Sequence, residues 1–535
     1  MIDRKLSNGE RRWLILFCVF VVVITCLPYL RAWMSQGNDW VFTGFLIGVE
    51  DGNSYIAKML LGDHGGWLFR SPYSTETQSG AIVFLPYLLL GKINLAADQH
   101  TNLMVVFHLY RIIGVLLLCW STFTFVAYFI KSPSMRKWAT ALAIGGGGLG
   151  WVLLLLGQQY WLGSLPLEFY SPESFGFLSA FGIPHLAVSR ALLLFGIVAF
   201  LDRRFLHAGA LWSLMGFFQP VTVIIGWAVI GAYLSVQACL IKRRSRWAVD
   251  IGWSDWKRNI RGFLGTIVLS SPMVVYSTVI FWIDPYLKAW KWEGQNTITS
   301  PHFFHYLVAY GGVFLVISLV IRKIIEKVDN RSLFLIVWIA ISPLLIYFPV
   351  DFQRRLADGV WIALVVLMLK GIELAYRKLS GFSTGTFSFI FISSIMLWLG
   401  AWGAAGEPSK PTFLPSDQVE AFTYISENIQ EDSIILSSYQ TGNALPAWAR
   451  VRVILGHGPE SINLLSSLES VRAFFDAAVG DQARREFILQ QEISYLFYGP
   501  DEKSLGDWDP KKSPFMQLLF DNDQYAIYSV SSNPE

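Results

Sequence analysis

Long apolar segments alternate with short polar ones along most of the chain. The first covers residues 13–30 and the last covers residues 387–402. A helix of about 20 apolar residues crosses the roughly 30 Å hydrocarbon core of a bilayer. The pattern therefore predicts an α-helical polytopic membrane protein with about 11 to 13 transmembrane helices. The first segment is expected to stay in place as an anchor, because residues 28–31 offer no small-residue cleavage site.

Residues 80–97 form an apolar segment that does not fit this series well. The segment is short and contains Pro86, Gly91 and Lys92. If it crossed the membrane, the basic residues 131–137 would lie outside. We therefore predict a juxtamembrane or re-entrant helix here, with a full crossing as the alternative.

The composition changes after Trp402, where residues 406–411 have the glycine and proline content of a linker. Strand and helix patterns then alternate, which predicts a small C-terminal α/β domain. The predicted elements are a helix over 416–429, strands over 433–437, 451–455 and 493–498, a helix over 467–479 and a hairpin over 516–530. The division is thus a transmembrane domain at 1–402, with an external loop at 31–79, and an α/β domain at 403–535.

Two glycine-containing loops follow the first two predicted strands of this domain. They contain Gly442-Asn443 and the residues Gly456 to Pro459. Sheets of this class place ligand loops at such positions. Tight turns that simply need glycine are the other interpretation.

Composition supports the membrane assignment and excludes other classes. Of 535 residues, 53% are hydrophobic and 15% are charged, with 22 tryptophans. The net charge of +3 is too small to indicate a nucleic-acid partner. The four cysteines all lie within apolar segments and predict neither a disulfide framework nor a metal site.

Basic residues predict the orientation, because loops rich in Lys and Arg stay in the cytoplasm. Such clusters lie at 4–12, 131–137, 203–204, 242–261, 322–331 and 377–378. The amino terminus is therefore predicted inside. The segments 31–79, 158–184, 284–302 and 350–358, and everything after residue 402, are predicted outside.

The external segment 31–79 carries an adjacent acidic pair, Glu50-Asp51, soon after the first span. Two neighbouring carboxylates raise each other's pKa, which poises one of them as a base or favours a divalent cation between them. A solvated polar loop is the ordinary alternative.

The other polar candidates lie in two further external segments. Segment 158–184 has Glu168 and Glu173 but no Lys or Arg, and His185 opens the next span. Arg190 lies about 7 Å deeper on that helix, at 1.5 Å per residue. His185 is otherwise an ordinary polar residue at a helix start.

Arg354-Arg355 is an adjacent basic pair that we place outside, against the charge rule. Such a violation suggests an anionic partner, since guanidinium groups match phosphate oxygens bidentately. Alternatively, Asp351 and Asp358 neutralise the pair within the loop.

This order of segments resembles the GT-C superfamily of membrane glycosyltransferases: a first span, an external loop with an early acidic pair, further spans and an external C-terminal domain. Residues 48–66 with Tyr55, and the tract around Gln353-Arg354-Arg355, are similar to its bacterial polyprenyl-phosphate-sugar branch. The resemblance implies a bacterial plasma-membrane hexosyl- or pentosyltransferase, with inversion expected. It would move a sugar from a polyprenyl-phosphate donor to a glycan, lipid or protein acceptor on the non-cytoplasmic side.

The resemblance also implies roles for particular residues. Asp51 and Glu50 would act as base or hold a divalent cation, Mg²⁺ or Mn²⁺. Glu168 or Glu173 would be the second acidic residue of such enzymes, and the spacing does not choose between them.

The chemistry gives the same residue types independently. Glycosyl transfer needs a carboxylate to deprotonate the acceptor and cations to take the charge of the leaving phosphate. Arg354, Arg355 and Arg190 could supply the cations, and His185 could add a donor at a helix start.

Two other classes of membrane protein remain open. A lipid-linked polysaccharide polymerase or ligase uses the same carriers and also favours external arginines. A transporter usually has ionisable residues at midplane depth or broken helices in matching halves, and neither is clear here.

Overall fold

A computed structural model describes residues 6–244, 252–292, 297–376 and 388–531. The predicted basic cluster at 377–378 and part of the cluster at 242–261 lie outside the described residues. The fold is mainly helical. The helices are α1 Asn8–Ser35, α2 Val49–Asp63, α3 Leu85–Gly91, α4 Gln99–Phe129, α5 Pro133–Gly145, α6 Gly150–Leu155, α7 Gly176–Gly182, α8 Pro184–Leu201, α9 Phe205–Phe218, α10 Pro220–Lys242, α11 Trp253–Ile283, α12 Pro285–Trp292, α13 Phe303–Glu326, α14 Asn330–Ile346, α15 Val360–Tyr376, α16 Ile392–Ala404, α17 Ser416–Asn428, α18 Tyr439–Ala444, α19 Leu464–Phe475, α20 Asp481–Gln490 and α21 Pro500–Lys503.

Within the described residues, six helices are long and apolar enough to cross a membrane. These are α1, α4, α8, α10, α11 and α13. The helical polytopic class is confirmed. The prediction of 11 to 13 spans is larger than this set, because helices such as α9 and α14 are apolar but have only 14 and 17 residues.

Residues 80–97 contain only the seven-residue helix α3. At 1.5 Å per residue, such a helix is about 10 Å long and cannot cross a bilayer. The alternative of a full helical crossing is therefore wrong, and the juxtamembrane or re-entrant position stays a prediction.

The contacts divide the chain into two compact units. Unit 1 contains Met1–Leu27, Tyr110–Tyr276 and Ile298–Ala401. Unit 2 contains Pro28–Leu109, Ser277–Thr297 and Trp402–Glu535. Unit 2 thus joins the first predicted external loop to the C-terminal α/β region.

The described residues of unit 2 form two sheets. The short strands β1 Trp40–Phe42 and β2 Phe413–Pro415 pair antiparallel, which joins the first loop to the segment after the last span. The second sheet has the order β4-β3-β5-β7-β6. Its strands are β3 Ile434–Leu436, β4 Arg452–Val453, β5 Tyr495–Tyr498, β6 Met516–Asp521 and β7 Ala526–Val530.

The larger sheet confirms the predicted α/β region. Strand β3 runs parallel to both β4 and β5, and β7 runs antiparallel to β5 and β6. The predicted helix over 467–479 lies at Leu464–Phe475, and the helix Asp481–Gln490 was not predicted. Buried apolar side chains cover both faces of the sheet and form its core, among them Ile435, Leu436, Leu496, Phe497 and Ile527.

Candidate functional site

Helix α2 presents the acidic pair in its first turn. Gly48 precedes the helix with φ of 61°, a left-handed conformation that glycine adopts without strain. Glu50 and Asp51 follow, and both side chains are exposed. Carboxylates at this end of a helix are favoured by its dipole and its unpaired N–H groups. The predicted candidates therefore occupy a stable, accessible position.

Two loops of unit 2 face this first turn. One follows β3 and continues into α18, and the other follows β4 at residues 454–461. Parallel neighbouring strands end at the same edge of a sheet, so their loops meet there. A Cβ on Gly442 would lie 2.2 Å from the Leu455 carbonyl oxygen, and one on Gly456 would lie 2.2 Å from the Gly442 carbonyl carbon. The glycines are needed because the two loops touch.

The same loops also supply side chains to both carboxylates. The Tyr439 hydroxyl donates to Glu50 Oε2 at 3.0 Å. The Gly458 N–H donates to the Tyr439 oxygen at 3.0 Å, so the phenolic proton is left to point at Glu50. His457 Nε2 lies 3.0 Å from Asp51 Oδ1. The loops that sequence analysis singled out thus contact the acidic pair.

Amide side chains hold the backbone of the same turn. Asn443 donates to the Glu50 carbonyl oxygen at 3.3 Å and accepts from Asn53 at 2.8 Å. The Tyr73 hydroxyl in turn donates to the Asn443 carbonyl oxygen at 3.2 Å. These bonds attach the start of α2 to α18.

Below the acidic pair, α2 carries a buried cation. Lys58 pairs with Glu460 at 2.6 Å, and the two side chains are only 1% and 2% exposed. Ser54 and Ser71 each donate to a different Glu460 oxygen at 2.8 Å, and Lys58 also donates to Ser54 Oγ. A buried ion pair needs such additional hydrogen bonds to offset its desolvation.

Charge shifts the pKa values of these groups. Burial alone would raise the pKa of Glu460, but the charge of Lys58 and the imidazole of His457 hold that pKa well below its usual range. Burial alone would lower the pKa of His457, but its bond to Asp51 and the nearby carboxylate of Glu460 raise that pKa to about 8. His457 is therefore mostly an imidazolium at neutral pH and donates to Asp51.

Tyr439 keeps its proton for a related reason. Burial and the carboxylate of Glu50 raise the pKa of its hydroxyl. It therefore remains a donor throughout the physiological range.

The acidic pair does not form a ready metal site. Among the described residues, no group of three or more His, Cys, Asp or Glu side chains is placed to hold a metal ion. One oxygen of each carboxylate already meets a protein donor, Tyr439 or His457. These residues do not fit a preformed cation site, so we derive no step through a metal.

Unit 1 contains a second ionic cluster, centred on Arg190. Its guanidinium donates to the Asp358 carboxylate, to Ser179 Oγ and to three backbone carbonyls. The ion pair with Asp358 is buried, with both side chains 2% exposed. Arg190 thus holds the loop 172–175, and a phosphate would have to displace these bonds.

Arg354 is held much more loosely. Its guanidinium lies 4.6 Å from the ring centre of Tyr170, and its Nε is 3.7 Å from Glu173 Oε2. Its Nε is buried and has no hydrogen-bond partner in the described residues. Asp358 pairs with Arg190 instead, so the idea that Asp358 neutralises the arginine pair is wrong.

Arg355 lies beside Arg354 in a single 3-10 turn, Gln353–Ala357. Its side chain is half-buried, and within the described part of the chain it takes part in no ion pair. His185 is half-buried near the start of α8. Their roles as phosphate ligands stay predictions.

The two second acidic candidates occupy different environments. Glu168 is buried and accepts from the Gly150 N–H at 2.7 Å, and burial raises its pKa. A Cβ on Gly148 would lie 2.4 Å from the Glu168 carboxylate, so this glycine makes room for it. Glu173 lies beside Arg354. Both side chains are buried, so exposure does not choose between them, and the role of either as the second acidic residue stays a prediction.

Sequence reasoning missed Lys58, Glu460 and the partners of the acidic pair. Asp51, Ser54 and Lys58 are spaced three and four residues apart, so they lie along one face of α2. That polar stripe on an otherwise apolar helix was the available signal.

Comparison with solved structures identifies the fold. An oligosaccharyltransferase from Archaeoglobus fulgidus, tethered to an acceptor peptide, is similar with a TM-score of 0.52 and 13% identity, over 98% of this chain and 75% of that chain. The archaeal oligosaccharyltransferase AglB from Archaeoglobus fulgidus was solved in complex with an inhibitory peptide and a dolichol-phosphate. It has a TM-score of 0.51 and 10% identity, again over 98% of this chain and 75% of that chain. The mycobacterial arabinofuranosyltransferase AftD has a TM-score of 0.50 and 13% identity, over 98% of this chain and 40% of that chain.

No protein-family model and no curated protein matches the sequence. At these identities the likeness concerns the fold. The predicted resemblance is confirmed at that level: the chain has the fold of the GT-C membrane glycosyltransferases.

Proposed function

We propose that this protein transfers a sugar from a polyprenyl-phosphate donor to an acceptor on the non-cytoplasmic side of a bacterial plasma membrane. The observation that carries the proposal is the exposed Glu50-Asp51 pair at the start of α2, in a chain with the GT-C fold. The oligosaccharyltransferase structure in complex with a dolichol-phosphate supports a lipid-phosphate donor.

Asp51 is the proposed base. Its side chain is 55% exposed, so an acceptor hydroxyl can approach it. The carboxylate takes the hydroxyl proton while the acceptor oxygen bonds to the anomeric carbon. The bond from that carbon to the phosphate oxygen breaks, and its electron pair leaves with the phosphate. One such displacement inverts the anomeric centre.

Arg354 and Arg355 are the proposed ligands of the leaving phosphate, with Glu173 as the second acidic residue. Guanidinium groups take the charge that develops on phosphate oxygens. Arg354 is better suited to this than Arg190, because its nearest carboxylate oxygen is 3.7 Å away while Arg190 is fully hydrogen-bonded. The acceptor is a glycan, a lipid or a protein.

A requirement for a divalent cation, Mg²⁺ or Mn²⁺, stays a separate prediction, because the bonds of the acidic pair to Tyr439 and His457 do not form a ready cation site. One Archaeoglobus fulgidus oligosaccharyltransferase was solved in complex with zinc and sulfate. Loss of transfer in EDTA, with recovery on adding either cation, would support a metal requirement. Unchanged transfer in EDTA would contradict that requirement.

The test is the lipid-linked glycan profile of a strain that lacks the gene. We expect one polyprenyl-monophosphate sugar to accumulate, and the mass of its sugar then distinguishes a hexosyl- from a pentosyltransferase. Complementation with the wild-type gene should remove the accumulated lipid, and complementation with Asp51→Asn should not. Accumulation of a diphosphate-linked oligosaccharide would instead favour the polymerase or ligase. An unchanged profile would contradict the transferase.

A further inference from the structure

Each carboxylate of the acidic pair contacts a side chain far along the chain, 389 residues away for Glu50 and 406 residues away for Asp51. Tyr439 reaches Glu50 and His457 reaches Asp51, both at 3.0 Å. Neither contact results from local helix geometry. Both depend on the edge where strands β3 and β4 end.

The Tyr439 contact is directional. The phenolic oxygen already accepts from the Gly458 N–H, so its single proton is free to be donated to Glu50. The Glu50 carboxylate is otherwise exposed at the start of a helix, where its rotamers would be unrestricted. One fixed donor therefore selects one orientation of the carboxylate.

The position of the His457 ring is fixed by the buried Lys58–Glu460 pair. Its ring is buried, and its Nδ1 lies 3.2 Å from Glu460 Oε1 in the Lys58 network. The ring also lies against Tyr73, with centroids 5.5 Å apart. With one ring edge at Glu460, the other edge, Nε2, is presented to Asp51.

We propose that Tyr439 and His457 are positioning residues that orient Glu50 and Asp51 for catalysis, so that the loops after β3 and β4 form part of the transferase machinery. This inference rests on the proposed function. It assigns a role to the C-terminal region that the acidic pair alone does not require.

Two amide replacements of His457 separate orientation from packing. The amide nitrogen of glutamine reaches the position of Nε2, whereas that of asparagine reaches only the position of Nδ1. His457→Gln should therefore keep the donor to Asp51, and His457→Asn should lose it while still facing Glu460. Tyr439→Phe removes only the hydroxyl.

The kinetic test uses the full-length purified protein in liposomes with a polyprenyl-phosphate sugar. We expect kcat to fall about 10- to 100-fold in Tyr439→Phe, His457→Ala and His457→Asn, the range for a lost hydrogen bond to a charged group. KM for the donor should change little, and His457→Gln should recover most of the rate. The matched controls Tyr495→Phe, half-buried in β5, and His207→Gln, exposed on α9, should keep wild-type rates.

Wild-type kcat in Tyr439→Phe and His457→Ala would overturn the inference and leave the proposed function standing. Equal rates for His457→Gln and His457→Asn would overturn it for His457. An inactive wild type would instead contradict the proposed function.

A second measurement tests the contacts without activity. Hydrogen–deuterium exchange of the peptide covering residues 49–58 should become faster in Tyr439→Phe and His457→Ala, and not in the two controls. Unchanged exchange would show that these side chains do not hold the start of α2, whatever the enzyme transfers.

Discussion

The two units each contain a buried ion pair and, beside it, a charged group that is more exposed. In unit 2 the buried pair is Lys58–Glu460, and Asp51 is 55% exposed. In unit 1 the buried pair is Arg190–Asp358, and Arg354 is 18% exposed with its nearest carboxylate oxygen 3.7 Å away. In both, the buried pair is surrounded by further hydrogen bonds, and the neighbouring group is more exposed than the pair.

This difference separates structural charges from candidate chemical ones. A charge that is buried must have its partners satisfied, or folding loses several kcal/mol. A group that contacts a substrate must instead have atoms that the substrate can reach. We therefore propose that Lys58, Glu460, Arg190 and Asp358 stabilise the fold and that the more exposed groups beside them, Asp51 and Arg354, act in the reaction. The following predictions test that assignment, beginning with the largest effect.

The largest expected effect concerns the orientation of the chain in the membrane, because each introduced cysteine should be either labelled from outside or fully protected. In a cysteine-free background, Gln158→Cys and Ser466→Cys should be labelled from outside by an impermeant reagent, because both lie in segments predicted outside and are exposed. Ser134→Cys, exposed beside a basic cluster, should be protected until the membrane is opened. Labelling of Ser134→Cys in intact cells would invert the assignment of that loop.

Asp51→Asn should lower kcat about 100- to 10,000-fold, the usual contribution of a general base. Glu50→Gln should have a comparable or weaker effect, and the exposed control Glu427→Gln should have none. Expression and unfolding temperature should stay near the wild type. If both single variants and the double variant turn over normally, the pair is only a solvated turn.

Lys58→Met should destabilise unit 2 by about 3–5 kcal/mol, because it leaves Glu460 buried and without its closest ion-pair partner. The measurement is thermal unfolding in detergent. The control Lys410→Met breaks a partly exposed pair with Asp501 and should cost about 1 kcal/mol or less. Equal losses in the two variants would contradict the division between structural and chemical charges.

Arg354→Lys keeps the charge but loses the bidentate geometry, so donor use should fall about 10- to 150-fold. The transfer rate is measured against the concentration of the donor and, separately, of the acceptor. The response to the donor should fall, and the response to the acceptor should not. Arg322→Lys, a control on the highly exposed end of α13, should change neither. An equal loss for both substrates would assign Arg354 to loop structure.

The smallest effect is a pH dependence of stability. The folded pKa of Glu460 is lowered, so its contribution is present above the unfolded pKa of about 4.3 and is lost as pH falls below that value. The unfolding temperature of the wild type should therefore drop on acidification below about pH 4.3. The double variant Lys58→Met/Glu460→Leu should drop less, and an identical acid profile would contradict the burial argument.

Local patterns were enough to predict most of the helices, the α/β region and the acidic pair. Glu50 and Asp51 stand out because they are adjacent carboxylates in the first external loop of a mostly apolar chain. Their partners could not be predicted, because Tyr439 and His457 approach them only through the sheet. Pairing of Arg190 with Asp358 was missed for the same reason: 168 residues separate them, and proximity in sequence favoured Arg354 and Arg355 instead.

The distance along the chain between Lys58 and Glu460 has a consequence for biosynthesis. The ribosome makes 402 further residues before the carboxylate exists, which takes about 20 to 80 s at 5–20 residues per second. During that interval the lysine of α2 lacks its counter-ion and the acidic pair lacks both donors. Packing of the first loop must therefore follow synthesis of the C-terminal region, and a nascent chain stalled before Glu460 would leave a chaperone-accessible α2.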